Sequence, residues 1–81
     1  MKIDVHQLMA KEAIAFVLKQ IDVCIAKKDA VLEVVHGFNH GVAIKARLAK
    51  LSAQHHPAII RVRSHIQNPG ISIIDLRVSL H

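Results

Sequence analysis

Ala30-Val31-Leu32-Glu33-Val34-Val35-His36-Gly37-Phe38-Asn39-His40-Gly41-Val42-Ala43-Ile44 is the stretch on which the fold turns. Its first six residues are a β-branched run and read as a strand. The next six, with two glycines and an asparagine, read as a turn-rich loop. Val42, Ala43, Ile44, Leu48 and Leu51 then recur at helical spacing, with Lys45, Arg47 and Lys50 off the stripe, and Pro57 sets the limit of that helix. Strand, loop and helix in this order form part of a β-α-β unit, so the flanks should supply further strands.

They do on both sides. Upstream of a turn at Lys28-Asp29, residues 9–27 place Ala10, Ala13, Ile14, Val17, Ile21, Cys24 and Ile25 on one helical stripe, opposed by Glu12, Lys19 and Asp22. Before that helix, Lys2-Ile3-Asp4-Val5-His6 alternates at the period of a half-buried strand. Downstream, Ile59-Ile60-Arg61-Val62-Arg63 alternates, and residues 71–78 do so with Ile74, Leu76 and Val78 on the apolar side. Gln67-Asn68-Pro69-Gly70 is the turn between them. The order βαβαββ predicts a two-layer α/β sandwich: a four-stranded mixed sheet with two helices on one face. Alternation assigns Asp4, His6, Glu33, Arg61, Arg63, Asp75 and Arg77 to the open face, an ordinary polarity for such a sheet.

With 81 residues, of which 52% are hydrophobic and 21% charged, the chain suits one folded domain spanning 1–81 and excludes disorder. One cysteine, Cys24, leaves no internal disulfide and fits a reducing cytoplasm. The first residues lack the features of a secretory signal, and no apolar run approaches the eighteen or so residues of a membrane span, so a cytoplasmic, membrane-free protein is expected. A net charge of +5 favours a polyanionic partner, nucleic acid first. Only Phe16 and Phe38 are aromatic, so contact should run mainly to phosphates.

Two constellations carry chemistry. Asp4 and His6, two apart on a strand, emerge on the same side, and a carboxylate beside an imidazole is a usable acid–base pair. In loop 36–41, glycines let backbone approach a ligand, and the helix N-terminus behind them exposes N–H groups suited to phosphate. Both fall at carboxyl ends of strands, where α/β folds place sites. The structural alternatives are a solvated strand end and a plain loop entering a helix. His6, His36 and His40 with Asp4 are also metal-ligand types, but their spacing matches no tight motif and no metal site is assigned. His55-His56 suit a cap or solvated role, and Cys24 reads as a small buried hydrophobe. Phe16 and Val23, seven apart on one flank of the first helix, suit a core edge or a self-association patch, which leaves a monomer or weak homodimer open.

Ile3-Asp4-Val5-His6, Glu12-Ala13, His36-Gly37 with Gly41, and Asn68-Pro69-Gly70-Ile71-Ser72-Ile73 together resemble the small MutS-related (Smr) domain over nearly the whole chain. Against the family's Leu-Asp-x-His-Gly, Ile3, Asp4 and His6 fit and Gln7 replaces glycine. Against its His-Gly-x-Gly, His36 and Gly37 fit and Asn39 replaces the second glycine. The resemblance implies a fold like the C-terminal half of bacterial initiation factor three, and action on DNA or RNA, in several relatives as an endonuclease. It implies Asp4 and His6 as residues of cleavage and the loop containing His36, Gly37, Asn39, His40 and Gly41 as substrate-binding. Lys45, Arg47, Arg61 and Arg63 are expected to hold the nucleic-acid backbone without reading sequence. A divalent cation is left open as a cofactor. The alternative function is a non-catalytic module that docks on structured RNA, a ribosome or a protein through the same basic surface.

Overall fold

The alternating and helical periods resolve, in a computed structural model describing residues 1–37 and 41–79, into six elements. They are β1 (Lys2–Asp4), α1 (Ala10–Ala26), β2 (Val31–Val35), α2 (Val42–Ala49), β3 (Ile59–Ser64) and β4 (Ile71–Leu76). Helix α1 forms because Ala13, Val17, Ile21 and Cys24 recur every three or four residues, and all four are fully buried. It stops in a Schellman-type end, in which Asp29 N–H reaches the Cys24 carbonyl (2.8 Å) and Lys28 N–H the Ile25 carbonyl (3.0 Å). Lys28 takes the left-handed conformation at φ 58°, which glycine usually fills in this motif.

The sheet order is β1-β2-β4-β3. β1 pairs parallel with β2, and β4 pairs antiparallel with both β2 and β3, so β1, β2 and β3 run in one direction with β4 reversed among them. The predicted βαβαββ order and mixed four-stranded sheet are what the structure has. Val5, Leu32, Val34, Ile59, Ile74 and Leu76 from the sheet side share one core with Ala13, Val17, Ile21, Cys24, Ile44, Leu48 and Leu51. Burial pushes the Cys24 thiol pKa up, so the group is a packing hydrophobe rather than a thiolate.

Three differences from the sequence reading have physical causes. Strand β1 ends at Asp4 rather than His6, because His6 N–H turns onto the Asp4 carboxylate (3.0 Å) and Leu8 N–H onto the Val5 carbonyl (3.0 Å). Helix α2 ends at Ala49 instead of running toward Pro57. Beyond it, Ser52 and His55 side chains accept backbone N–H groups of Gln54 and Ser52, competing with helical bonds. The open sheet face is also less polar than alternation suggested. The register places Val31, Val35, Ile71 and Ile73 among Lys2, Asp4, Glu33, Asp75, Arg61 and Arg63, because β4 is an inner strand with apolar residues on both faces.

His56 has a definite structural role. Its Nδ1 accepts Ala58 N–H (3.1 Å), so Nε2 carries the proton and donates to Asp22 (2.8 Å), tying the segment before β3 to α1. Among the described residues, no helix is long and apolar enough to cross a membrane.

Candidate functional site

The carboxyl ends of parallel β1 and β2 meet the start of β4 at one end of the sheet, where Asp4, Val35 and Ile71 lie side by side in register. The chain has three glycines, and all of them stand at this corner. Gly37 has φ 82°, the left-handed region that glycine occupies without strain. Gly41 is needed for a different reason: a Cβ there would lie 2.2 Å from the His36 carbonyl oxygen and 2.4 Å from that of Gly37. A Cβ on Gly70 would come within 3.3 Å of the Gly37 Cα. Three backbone segments therefore pack without intervening side chains.

Hydrogen bonds fasten the same corner. The N–H groups of His36 and Gly37 both donate to the Gly70 carbonyl, at 2.9 and 3.0 Å. Asn68 Oδ1 accepts Gly70 N–H (2.9 Å), and His65 Nδ1 accepts the N–H groups of Gln67 and Asn68, which shapes the turn that presents Gly70. His36 is only 1% exposed. Its Nε2 bonds Ser72 Oγ (2.9 Å) and its Nδ1 the Gly37 carbonyl oxygen (3.0 Å). Since a carbonyl only accepts, Nδ1 carries a proton, and in a neutral ring Nε2 accepts the Ser72 hydroxyl. The ring braces the loop from beneath and has no nitrogen left for a metal or substrate.

Asp4 and His6 lie beside this frame, with His6 Cβ 3.8 Å from where a Gly37 Cβ would stand. They are brought together less by strand alternation than by a local turn. Asp4 Oδ1 accepts both the backbone N–H of His6 and its ring Nδ1. The backbone bond first, then the ring bond, holds the Asp4 carboxyl below its usual pKa. With Nδ1 engaged, Nε2 is the nitrogen left to meet a substrate, and the side chains of His6 and Asp4 are 52% and 55% exposed. The pair opens onto a cleft of about 490 Å³ lined by Asp4, His6, Gln7, Leu8 and Phe16.

Helix α2 starts at the same corner. Its N-cap Gly41 contributes no side-chain cap, and no acidic residue stands in its first turn. Among the described residues no side chain caps its first N–H groups, which have no intrahelical partner either, and such groups suit a phosphate. Lys45 is half-buried one turn along α2 and Arg47 is exposed in its last turn. Asn39 and His40, with Phe38, lie outside the described residues.

Arg61 and Arg63 are elsewhere. They project from β3, across the sheet from β1, and both bond Asp75: Arg61 Nε at 2.7 Å, Arg63 Nε at 2.9 Å and Arg63 Nη2 at 3.2 Å. These bonds, that of Arg63 first, hold the Asp75 carboxyl low, and its bond to Asp75 raises the Arg63 pKa. Two of the four expected backbone-holding cations are thus already paired within the sheet. Among the described residues, no three His, Cys, Asp or Glu side chains gather as a metal cluster. Sequence reasoning missed Gln7, Leu8 and Phe16 as neighbours of the pair. The available signals were Gln7 at the family's glycine position and Phe16 as a large apolar residue off the buried stripe.

The Smr domain family model matches residues 3–76. A search of curated proteins finds no match. Among solved structures, the chain is similar to the Smr domain of Thermus thermophilus MutS2, with a TM-score of 0.75 and 20% identity over 94% of this chain and 96% of that one. The family match places both the Asp4–His6 turn and the glycine corner inside the matched region, and the chain belongs to the Smr domain family, known to bind nucleic acid and in some members to nick DNA or RNA.

Proposed function

We propose that the protein is a nucleic-acid-binding endonuclease that cleaves RNA or nicks DNA at the Asp4–His6 corner. The observation that carries this reading is the bond between His6 Nδ1 and Asp4, which orients an exposed ring with Nε2 unengaged by Asp4, next to Gly37 at the corner where α2 begins. A phosphate docked on the first N–H groups of α2 has its developing negative charge met by backbone donors. His6 Nε2 then takes the proton of the attacking hydroxyl as that oxygen bonds to phosphorus. The bond to the leaving oxygen breaks, and that oxygen receives a proton, from the imidazolium or from water. Asp4 Oδ1 is already occupied by two donors, which favours an orienting role over direct activation of the hydroxyl. His36 acts from below as a positioning residue for the loop. Lys45, one turn into α2, is the expected cation nearer that docked phosphate, Arg47 in the last turn meets the backbone farther along, and Arg61 and Arg63 contribute less while Asp75 holds them.

The test is incubation with labelled single- and double-stranded RNA and with supercoiled plasmid, with and without chelator, beside Asp4→Asn and His6→Ala. Cleavage by wild type that both variants lose is the expected result. Chelator sensitivity separates metal-assisted from acid–base cleavage. Salt-sensitive binding without cleavage, unchanged in the variants, contradicts the enzyme and leaves a docking module.

A further inference from the structure

The cleft beside His6 has a second wall that phosphate chemistry does not use. Leu8 and Phe16 line it, and both are large apolar side chains left substantially exposed, Phe16 at 38%. Gln7, which follows His6 where the family pattern has glycine, lines the same cleft. An amide offers both a donor and an acceptor, which suits a heteroaromatic edge and not a phosphate alone. The cleft volume of about 490 Å³ falls within the roughly 300–1,000 Å³ range of small-ligand pockets.

From this juxtaposition we infer that the Gln7–Leu8–Phe16 wall is a subsite for one unpaired nucleobase, stacked on Phe16 with its edge toward Gln7, next to the phosphate handled by His6. The inference rests on the nucleic-acid reading proposed above and adds a substrate class to it. A base inside a duplex keeps both faces covered by its neighbours, so only an unpaired or flipped nucleotide presents a face to the ring. The occupant is argued from continuity with the proposed reaction centre, since His6 lines the same cleft, and from the net charge of +5 on the chain as a whole. Such a subsite adds one base contact to an interface expected to run mainly to phosphates.

The test measures binding of a short mixed-sequence single-stranded RNA and of its fully paired duplex to wild type, Phe16→Leu and Phe16→Trp, at one low salt concentration. Leucine keeps an apolar side chain on α1 but removes the ring. Base stacking on an aromatic residue predicts that Phe16→Leu binds the single strand roughly 5- to 150-fold more weakly while the duplex is unaffected. Phe16→Trp should retain the preference. Its indole, unique in a chain without tryptophan or tyrosine, should lose emission on adding the single strand and not the duplex. Equal binding by wild type and Phe16→Leu, or equal loss for both RNAs, overturns the nucleobase subsite while the nucleic-acid reading stands. A wild type that binds neither these RNAs nor the single- and double-stranded DNAs of the same sequence overturns both. A concentration-dependent sedimentation coefficient that Phe16→Leu abolishes, with RNA binding unchanged, assigns the wall to self-association instead.

Discussion

The two edges of the sheet treat charge in opposite ways. At the β3 edge, Arg61 and Arg63 converge on Asp75 through three hydrogen bonds, and much of their charge is answered inside the protein. At the β1 edge there are fewer cations, but Asp4 orients an exposed imidazole beside a backbone cradle in which all three glycines meet. Cations counted along the strands point to the first edge, with two on β3 against one on β1, whereas geometry points to the second. Net charge describes the partner a protein attracts, and preorganised donors and acceptors describe where it acts.

The contrast can be broken most forcefully at the β1 edge. His6→Ala should lower the cleavage rate by roughly 10²- to 10⁴-fold, the usual contribution of general acid–base catalysis, with RNA affinity retained. A rate assay at saturating RNA checks this, and a variant cleaving like wild type removes His6 from the chemistry. Next in size is Gly41→Ala. Its Cβ would lie 2.2 Å from a backbone oxygen, and backbone, unlike a long side chain, has little room to yield. A loss of roughly 2–3 kcal/mol is expected, read as a melting temperature lower by about ten degrees or more. An unchanged melting curve would mean that the corner is looser than its contacts indicate.

The β3 edge yields smaller and more diagnostic effects. Asp75→Asn removes the carboxylate that holds Arg61 and Arg63, so nucleic-acid affinity should rise a few-fold at low salt. The salt dependence should steepen by up to about one phosphate contact's worth of slope. Weaker binding in Asp75→Asn would mean instead that Asp75 holds the arginines in a binding geometry. The smallest effect is on acid stability. Asp75 and Asp4 have folded-state pKa values depressed below 3.8, so their contribution is present above about pH 4 and is lost as pH falls through the folded values. Melting temperature should therefore decline below about pH 4, less steeply in Asp75→Asn, and only modestly because these partners are solvent-screened.

Much of the architecture was legible because it rests on period. The stripe through Ala13, Val17, Ile21 and Cys24 is a helix face in any environment that supplies a core. The Asp4–His6 neighbourhood was legible as well, though a local turn rather than strand alternation produces it. What escaped depends on register and on contacts distant in sequence. Ile59 opposes Leu76 while Arg61 opposes Asp75, so a bulge at Ile60 sets both arginines against one carboxylate. No reading of Ile59-Ile60-Arg61-Val62-Arg63 alone reveals that pairing. Ile71 and Ile73 on the open face follow from the insertion of β4 between β2 and β3, a strand order that hydrophobic periodicity does not encode. The burial of His36 on Ser72 and the packing of Gly70 on Gly37 likewise join residues more than thirty positions apart. Phe16 had a visible signal, but its place beside His6 required the fold.

The most direct test of the contrast between edges is single-turnover cleavage of saturating single-stranded RNA by wild type, His6→Ala and an Arg61→Ala/Arg63→Ala double variant. The account predicts that His6→Ala loses turnover while still binding, and that the double variant cleaves at close to the wild-type rate. Cleavage that survives in His6→Ala and disappears with the two arginines would contradict it, and would move the reacting phosphate to the β3 edge.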